Sequence, residues 1–531
     1  MSTSDQNKNL EEIQTPVLVV GGSLVGLNAG LFLSFWGVPN IVIEKHEGSS
    51  SHPRAIGYTE HTMEFFSSVG IIDQIPQVER GVRLRRASCF DLSSEWIEKT
   101  SWAGKKKVDS SYQEFSPFTG AAIAQDKLEP ILRKRAIKLG CDLRQKTILL
   151  SFEQNDKEVI AIVLNKKTGH SYKIRAQYMI AADGGKSSIR EALQLPCKGR
   201  GYMQTISSVL FRCPEADEVL SRGILQFDID QPDLKAFLTT YNDGRWALMF
   251  RDGVQRNSKE LLDGIKKALG QSDANIEIIT TGQWDLSASI CESYSKGRIF
   301  LAGDSAHALP PTRGGYGANT GIDDVHNLAW KLKLVLDGKA SPSLLDTYSA
   351  ERQPIGWLRH QQTFARPDYA AFAEGWASGE DIIDDAGMEL GQLHISKAIC
   401  SPDDVKTKAK RPDLWHGQPG VRAPHAWVKK DGKDISTIDL FNKRFVVLTQ
   451  NEEWRAATET VSASLQLPID FYLVGKDIVL SDDAEFVKKF GVGQFGATLV
   501  RPDGLVGWRA KHEEENSLRS LQKAFNQILN L

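Results

Sequence analysis

Val17-Leu18-Val19-Val20-Gly21-Gly22-Ser23-Leu24-Val25-Gly26 is the stretch on which the reading of the fold turns. Its first four residues are aliphatic without a polar break, as a strand buried on both faces requires. The glycines then mark a tight turn, and an apolar run of helical character reaches about Trp36, closed by Gly37. A second aliphatic run, residues 41–43, ends in Glu44. Strand, glycine turn, helix and strand make a βαβ unit of the dinucleotide-binding kind. In such a unit the turn formed by Gly21, Gly22, Ser23, Leu24, Val25 and Gly26 brings backbone amides to a pyrophosphate at the positive end of the helix dipole. Glu44 stands where it accepts hydrogen bonds from an adenosine ribose, and its charge disfavours a 2′-phosphate there. FAD or NAD therefore fits this site better than NADP. Ser23 replaces the middle glycine of the pattern, adding a Cβ where close approach is wanted and a hydroxyl able to bond a phosphate.

A second buried strand is predicted at 298–302, running into Gly303-Asp304-Ser305-Ala306-His307. Pro310-Pro311-Thr312-Arg313-Gly314-Gly315-Tyr316-Gly317-Ala318-Asn319-Thr320-Gly321 comes next, then a helix with Ile322, Val325, Leu328, Leu332 and Val335 on one face. A carboxylate at a strand end, Asp304, suits a sugar-alcohol hydroxyl such as those of a ribityl chain. The helix start at Gly317, Ala318 and Asn319 presents amides to an anion, and reduced flavin carries its negative charge at the N1/O2 edge. Gly491-Val492-Gly493-Gln494-Phe495-Gly496 has similar spacing but follows a charged stretch and precedes a strand, so it does not read as a nucleotide turn.

With these motifs in order, the chain resembles the group A flavoprotein monooxygenases, the aromatic hydroxylases typified by p-hydroxybenzoate hydroxylase. In that family Gly303-Asp304 is the motif on the FAD ribityl chain. Ala181-Ala182-Asp183-Gly184, continued by Ser187 and Arg190, matches the motif associated with both FAD and NAD(P)H. Gln125 matches a glutamine that contacts FAD, Arg54 of Pro53-Arg54-Ala55 an arginine near the flavin, and Pro311 the proline beside its reactive edge. The tail, through Ser436-Thr437-Ile438-Asp439-Leu440-Phe441 and Ala497-Thr498-Leu499-Val500-Arg501-Pro502-Asp503-Gly504, resembles polyketide hydroxylases such as aklavinone hydroxylase. Four departures stand out: Ser23, a proline-to-glycine loop one residue longer through Arg313, the pair Tyr316 and Ala318, and His61 in place of a frequent arginine.

The resemblance implies an α/β fold: a Rossmann-like FAD domain split over 14–200 and 286–400, with a β-rich substrate domain at 200–285. Part of 80–120 is placed with the substrate region. A hairpin is expected there from 236–241 and 246–250 around Asn242-Asp243-Gly244. Phe227, Phe237, Tyr241, Trp246 and Phe250 are concentrated in this region and read as sheet core before pocket lining. A thioredoxin-like domain without cysteine follows at 415–531, with strands at 445–449, 471–474, 497–500 and 505–508 and helices at 454–465 and 518–529. It reads as structural or as an assembly surface.

Composition limits the alternatives. At roughly 100–200 residues per domain, 531 residues correspond to about three folding units. Lys and Arg number 65 against 67 Asp and Glu, which leaves no electrostatic footprint for nucleic acid or an anionic membrane. Residues 13–43 are uncharged, but Pro16, Gly21, Gly22, Asn28, Gly37 and Pro39 interrupt them, so no integral membrane segment is expected. The polar, acidic N-terminus does not read as a signal peptide. Six cysteines (Cys89, Cys141, Cys197, Cys213, Cys291, Cys400) read as single residues in a cytoplasmic, reducing setting, with no metal-ligand spacing. His307 reads as a packing residue, and no HExxH or GxSxG pattern occurs. The chemistry is therefore the cofactor's.

The function implied is hydroxylation of a phenolic or polyketide-type aromatic by FAD, O2 and NADPH or NADH as transient co-substrate, through a flavin C4a-hydroperoxide. Arg54 and Pro311 are its candidate catalytic residues. Baeyer–Villiger oxidation or epoxidation on the same scaffold, and a catalytically silent FAD-binding scaffold protein, remain the alternatives. The expected state is a monomer or homodimer.

Overall fold

The first strand is longer than its apolar run. In the computed structural model, which describes residues 10–50, 52, 55–80, 85–99, 114–311, 316–376, 379 and 381–531, it spans Glu12–Val20. Its outer half alternates between exposed and covered residues, so only the buried end carries a continuous hydrophobic signal. It lies at the centre of an eight-stranded sheet, parallel to Asn40–Ile43 on one side and Ser171–Ala181 on the other. Strand Ile299–Leu301 continues the parallel order beyond Ser171–Ala181. The register aligns Val20 with both Ile43 and Ala181, and Ala181 with Leu301. One carboxyl edge therefore launches Gly21, Glu44, Ala182 and Ala302 together, which is where open parallel sheets bind ligands.

Helix α1 (Leu24–Phe35) is buried on nearly every face and ends at Gly37, whose φ of +72° suits glycine. Helix α2 (Glu60–Ser68) is capped by Thr59, and α3 (Gln125–Lys138) packs against α1. Helix α4 (Ser188–Ala192) starts at Ser187, whose hydroxyl accepts the Arg190 N–H.

A second eight-stranded sheet is built on two long strands, Cys197–Arg212 and Glu277–Cys291, which rise out of the first layer. Leu234–Thr240 and Trp246–Phe250 form the expected hairpin, with Asn242 at φ +56° and Gly244 at +78°. Strands Arg86–Cys89 and Trp96–Glu98 complete this sheet. Beside the one-turn helix α5 (Pro214–Asp217), helix α6 (Ser258–Leu269) covers its outer face, burying Phe227, Trp246 and Phe250 as core. The reading of all six cysteines as single needs correcting. Cys197 and Cys291 face each other across the long strands as a disulfide, brought together by register over a separation of 94 residues.

Helices α7 (Tyr316–Leu336) and α8 (Asp346–Phe364) return to the first layer, and α9 (Asp385–Leu390) lies over their ends. The tail forms a four-stranded mixed sheet in the order Ile469–Leu473, Phe445–Thr449, Ala497–Val500, Val506–Ala510. Helices α10 (Glu453–Leu465) and α12 (Ser517–Ile528) pack on one face, sharing a core with Trp330 and Leu334 of α7. Helix α11 (Asp483–Phe490) covers the other face, and Gly491 ends it at φ +62°, so the second glycine pattern begins as a helix stop.

Buried ions join the tail to α7 and α8. Glu351 receives both terminal nitrogens of Arg501 at 2.7 and 2.8 Å, Lys331 Nζ at 2.8 Å and Asn327 Nδ2 at 2.8 Å. Arg501 also donates to Asp503, which accepts Trp330 Nε1 at 3.1 Å. Arg422 similarly donates to Glu64 of α2 at 2.8 Å.

Candidate functional site

At the aligned carboxyl edge the first turn is held by two glycines. Gly21 has φ +101°, and a Cβ on it would overlap the Ala182 carbonyl. A Cβ on Gly26 would overlap the Gly21 carbonyl. The chain can therefore pass close under a ligand at this point. Glu44, 8% exposed, accepts the Gly22 N–H at 2.7 Å and the His46 N–H at 2.9 Å. Both bonds orient the carboxylate and leave it acceptor capacity for a ribose diol.

Several side chains of the motif are committed elsewhere. Ser23 donates to Glu129 at 2.8 Å and accepts from Gln125 Nε2 at 3.1 Å, so its hydroxyl is spent within the protein and not on a phosphate. Gln125 Nε2 also reaches Glu129 at 2.7 Å, one helical turn along α3. Leu24 is core, and Val25 packs between Gly303 and Gly321. These two residues have only their amides to offer a ligand.

The second turn carries Asp183, whose Oδ2 accepts the Ile189 N–H at 3.4 Å while Oδ1 is buried without a partner. Such an atom is costly unless a ligand hydroxyl or amide meets it. Arg190 ties this turn to the third, donating to Gly185 O at 2.7 Å and Ser305 O at 3.0 Å. In the third turn Asp304 is exposed and stands beside Gly317 at the start of α7.

Behind that turn, the Gly303 N–H donates to Asp324 at 3.2 Å, His307 Nε2 lies 2.6 Å from the same carboxylate, and Arg352 Nε donates to it at 2.9 Å. His307 is fully buried and works as a strut, in keeping with a packing role. Burial opposes ionisation of Asp324, yet His307 and Arg352 hold its carboxyl below the usual range. Asp323 faces the same burial, and Arg352 leads the charges that bring it down to about 2. These supporting residues were legible only as a hint: Asp323, Asp324, Glu351 and Arg352 are charges in helices that are otherwise largely buried.

Asn319 lies in the first turn of α7, but its side chain accepts from Thr59 N at 3.0 Å and Thr62 Oγ1 at 2.6 Å and donates to Gly57 O at 3.2 Å. Its side chain is thus spent on the Gly57–Thr62 segment. Pro311 is exposed, with its carbonyl fixed by the Tyr369 hydroxyl at 2.5 Å. Arg54, with Pro53, and Arg313 of the lengthened loop lie outside the described residues. An apolar and aromatic cluster adjoins Pro311 through Tyr369: Ile206 and Leu286 from the long strands meet Phe364, Tyr369 and Trp376 from α8 and the segment after it. His52 Nε2 and Ser208 Oγ, 2.7 Å apart, add a polar pair beside that cluster, with Trp284 in edge contact with the His52 ring.

The donor set suits FAD: amides and a carboxylate for the adenosine and pyrophosphate end, Asp183 and Asp304 for hydroxyls, and a helix start for the flavin's anionic edge. Among the described residues no group of His, Cys, Asp or Glu is placed to hold a metal ion, and no helix is long and apolar enough to cross a membrane.

Comparison with known proteins points the same way. A family profile described as "FAD binding domain" matches residues 14–363, and one described as "Aromatic-ring hydroxylase, C-terminal" matches 416–530. The chain is 34% identical to a 4-methyl-5-nitrocatechol 5-monooxygenase of Burkholderia sp, covering 98% of both chains. It is also 34% identical to a tetracenomycin A2 monooxygenase-dioxygenase of Streptomyces glaucescens, covering 97% of both. A crystal structure of aklavinone-11 hydroxylase with FAD and aklavinone superposes with a TM-score of 0.86 at 31% identity, over 97% of this chain and 99% of that one.

Proposed function

The chain belongs to the FAD-dependent aromatic-ring hydroxylases, and on that premise we propose that it hydroxylates a phenolic or polyketide-type aromatic with O2 and NADPH or NADH as co-substrates. The observation that carries this reading is the meeting of Asp183, Asp304 and the α7 start at one sheet edge, with an aromatic cluster joined to Pro311 through Tyr369. Its relatives named for a nitrocatechol and for polycyclic tetracenomycins bracket the substrate class between small phenols and fused-ring phenols.

When bound, FAD supplies the electron and oxygen transfer. The protein's residues do the rest. Amides of Ser23 to Gly26 and the Glu44 carboxylate hold the adenosine end, Asp183 and Asp304 hold the middle of the cofactor, and Gln125 braces Ser23 and Glu129 beside the turn. The amides of Gly317, Ala318 and Asn319 face its anionic edge, where aligned peptide dipoles favour negative charge. Pro311, its carbonyl held by Tyr369, lies on the side where the substrate is oxidised, and Arg54 is the second candidate catalytic residue. The apolar cluster excludes water from that side. In this assignment residues 14–200 and 286–400 bind FAD and residues 200–285, with part of 80–120, cover the substrate. Residues 415–531 form the thioredoxin-like tail, and the enzyme works in the cytoplasm as a monomer or homodimer.

The test is NAD(P)H oxidation with dissolved oxygen monitored, across catechols, phenols and fused-ring phenols. The expected result is a product carrying one atom of labelled O2. NAD(P)H consumption that yields only hydrogen peroxide for every aromatic would overturn the hydroxylase assignment.

A further inference from the structure

At the inner side of the α7 start a buried guanidinium lacks an ion-pair partner among the described residues. Arg359 of α8 is 4% exposed, and its guanidinium carbon lies 4.5 Å from the ring centroid of Tyr316, the first residue of α7. Its Nε and Nη1 are buried without a hydrogen-bond partner, and among the described residues no carboxylate lies within ion-pair range. Arg366, 3% exposed, donates to the Tyr316 hydroxyl at 3.3 Å and has Asp385 at 3.8 Å. Arg352, two turns before Arg359, shows what a neutralised guanidinium looks like here: it lies 2.6 Å from Asp323 and 2.9 Å from Asp324.

A buried guanidinium without a carboxylate is strongly disfavoured, and the amino end of a helix is a poor place for a cation. Tyr316 nevertheless has two guanidinium groups against it at the point where the first amides of a 21-residue helix are unpaired by the helix itself. Burial, and then the charge of Arg352, pulls the Arg359 pKa below its ordinary value, while Tyr316, Asp323 and Glu389 act to raise it. A guanidinium left without a hydrogen-bonded carboxylate in this way is suited to an anion at the helix start.

We infer that Arg359 is a positioning residue whose unpaired guanidinium, acting through Tyr316 and the start of α7, stabilises the negative charge that reduced flavin carries at its N1/O2 edge. This rests on the flavin reading of the site and adds to it a side chain from α8, which lies outside every cofactor motif.

The test is the two-electron potential of bound FAD, measured by equilibration with a reference dye in holoenzyme, R359Q and R359K. R359Q is expected to retain FAD and to lower the equilibrium constant for reduction about tenfold, which is roughly 30 mV for a two-electron couple. R359K, which keeps the charge, is expected to stay within about threefold of the parent. A loaded R359Q with an unchanged potential would overturn this inference alone, because a purely structural role would not move the potential. Wild-type holoenzyme whose FAD is no easier to reduce than free FAD would overturn it too, whatever the variants do. Protein that takes up no FAD at all would remove the flavin site, and this inference with it.

Discussion

Asp304 and Glu44 occupy the same sheet edge but are differently supported. Glu44 is clamped by two backbone amides, whereas Asp304 is exposed beside Gly317. Asp304→Ala is therefore expected to purify depleted of flavin, read from the ratio of visible to ultraviolet absorbance, while thermal stability of the apoprotein changes little. Glu44→Ala removes charge-assisted hydrogen bonds from the adenosine end, each worth about 1.5–3 kcal/mol. It should weaken FAD by about ten- to a hundredfold in a fluorescence titration. Unchanged affinity would mean that the ribose lies elsewhere. At this scale the sequence identified residue types and missed their duties. Ser23, Val25 and Asn319 sit at motif positions, yet their side chains serve Glu129, two facing glycines, and the Gly57–Thr62 segment. Spacing along the chain cannot reveal a partner 106 or 257 residues away.

Helices α7 and α8 bury five charged residues, Asp324, Lys331, Glu351, Arg352 and Arg359, and a pH dependence is built on and beside them. His360 of α8, stacked on Trp357, is pulled down to about 4 by burial. His394, 3.2 Å from Arg352, falls to about 4 through burial and then through that guanidinium. Both are neutral in the fold and protonate more readily once unfolded, so the unfolded state binds more protons between pH 6.5 and 4. Their contribution is fully present above pH 6.5 and is lost as pH falls toward 4, on the order of 1–3 kcal/mol each. The melting temperature should drop across that window, and His360→Phe should flatten the drop. A melting temperature independent of pH from 6.5 to 4 would contradict the burial argument. Elements of this kind were legible where periodicity was strong. The α7 face through Ile322, Val325, Leu328 and Leu332 and the Asn242–Gly244 hairpin are two examples. The first strand was under-read, because residues 12–16 alternate and resemble an edge.

Across the whole molecule, the tail is joined to the flavin layer by a buried ion network and not by apolar contact alone. Arg501, Glu351 and Lys331 are inaccessible, and Arg501 holds the Glu351 carboxyl well below its ordinary range against the cost of burial. Deleting one partner leaves the others buried and uncompensated, which costs about 3–5 kcal/mol. Arg501→Met is expected to lower the unfolding free energy by that amount. It should also release FAD at a lower temperature, since α7 is the element the network holds; differential scanning with flavin fluorescence reads both. Loss of stability with flavin release unchanged would show that the tail does not support the site. The Arg501-Pro502-Asp503-Gly504 stretch was visible as a family resemblance, but its contact with Glu351, 150 residues earlier in the chain, was not.

The sequence by itself determined the βαβ unit, the chain order of the nucleotide motifs, and hence the family. These depend on backbone periodicity and on turn residues whose requirements are local. The tertiary structure alone decided which of those side chains are engaged within the protein, which cysteines meet, and which buried charges are paired. Those outcomes depend on strand register and helix packing between segments far apart in the chain. The Arg359 guanidinium, without an ion-pair partner among the described residues, becomes visible only when the carboxylates around it have been placed.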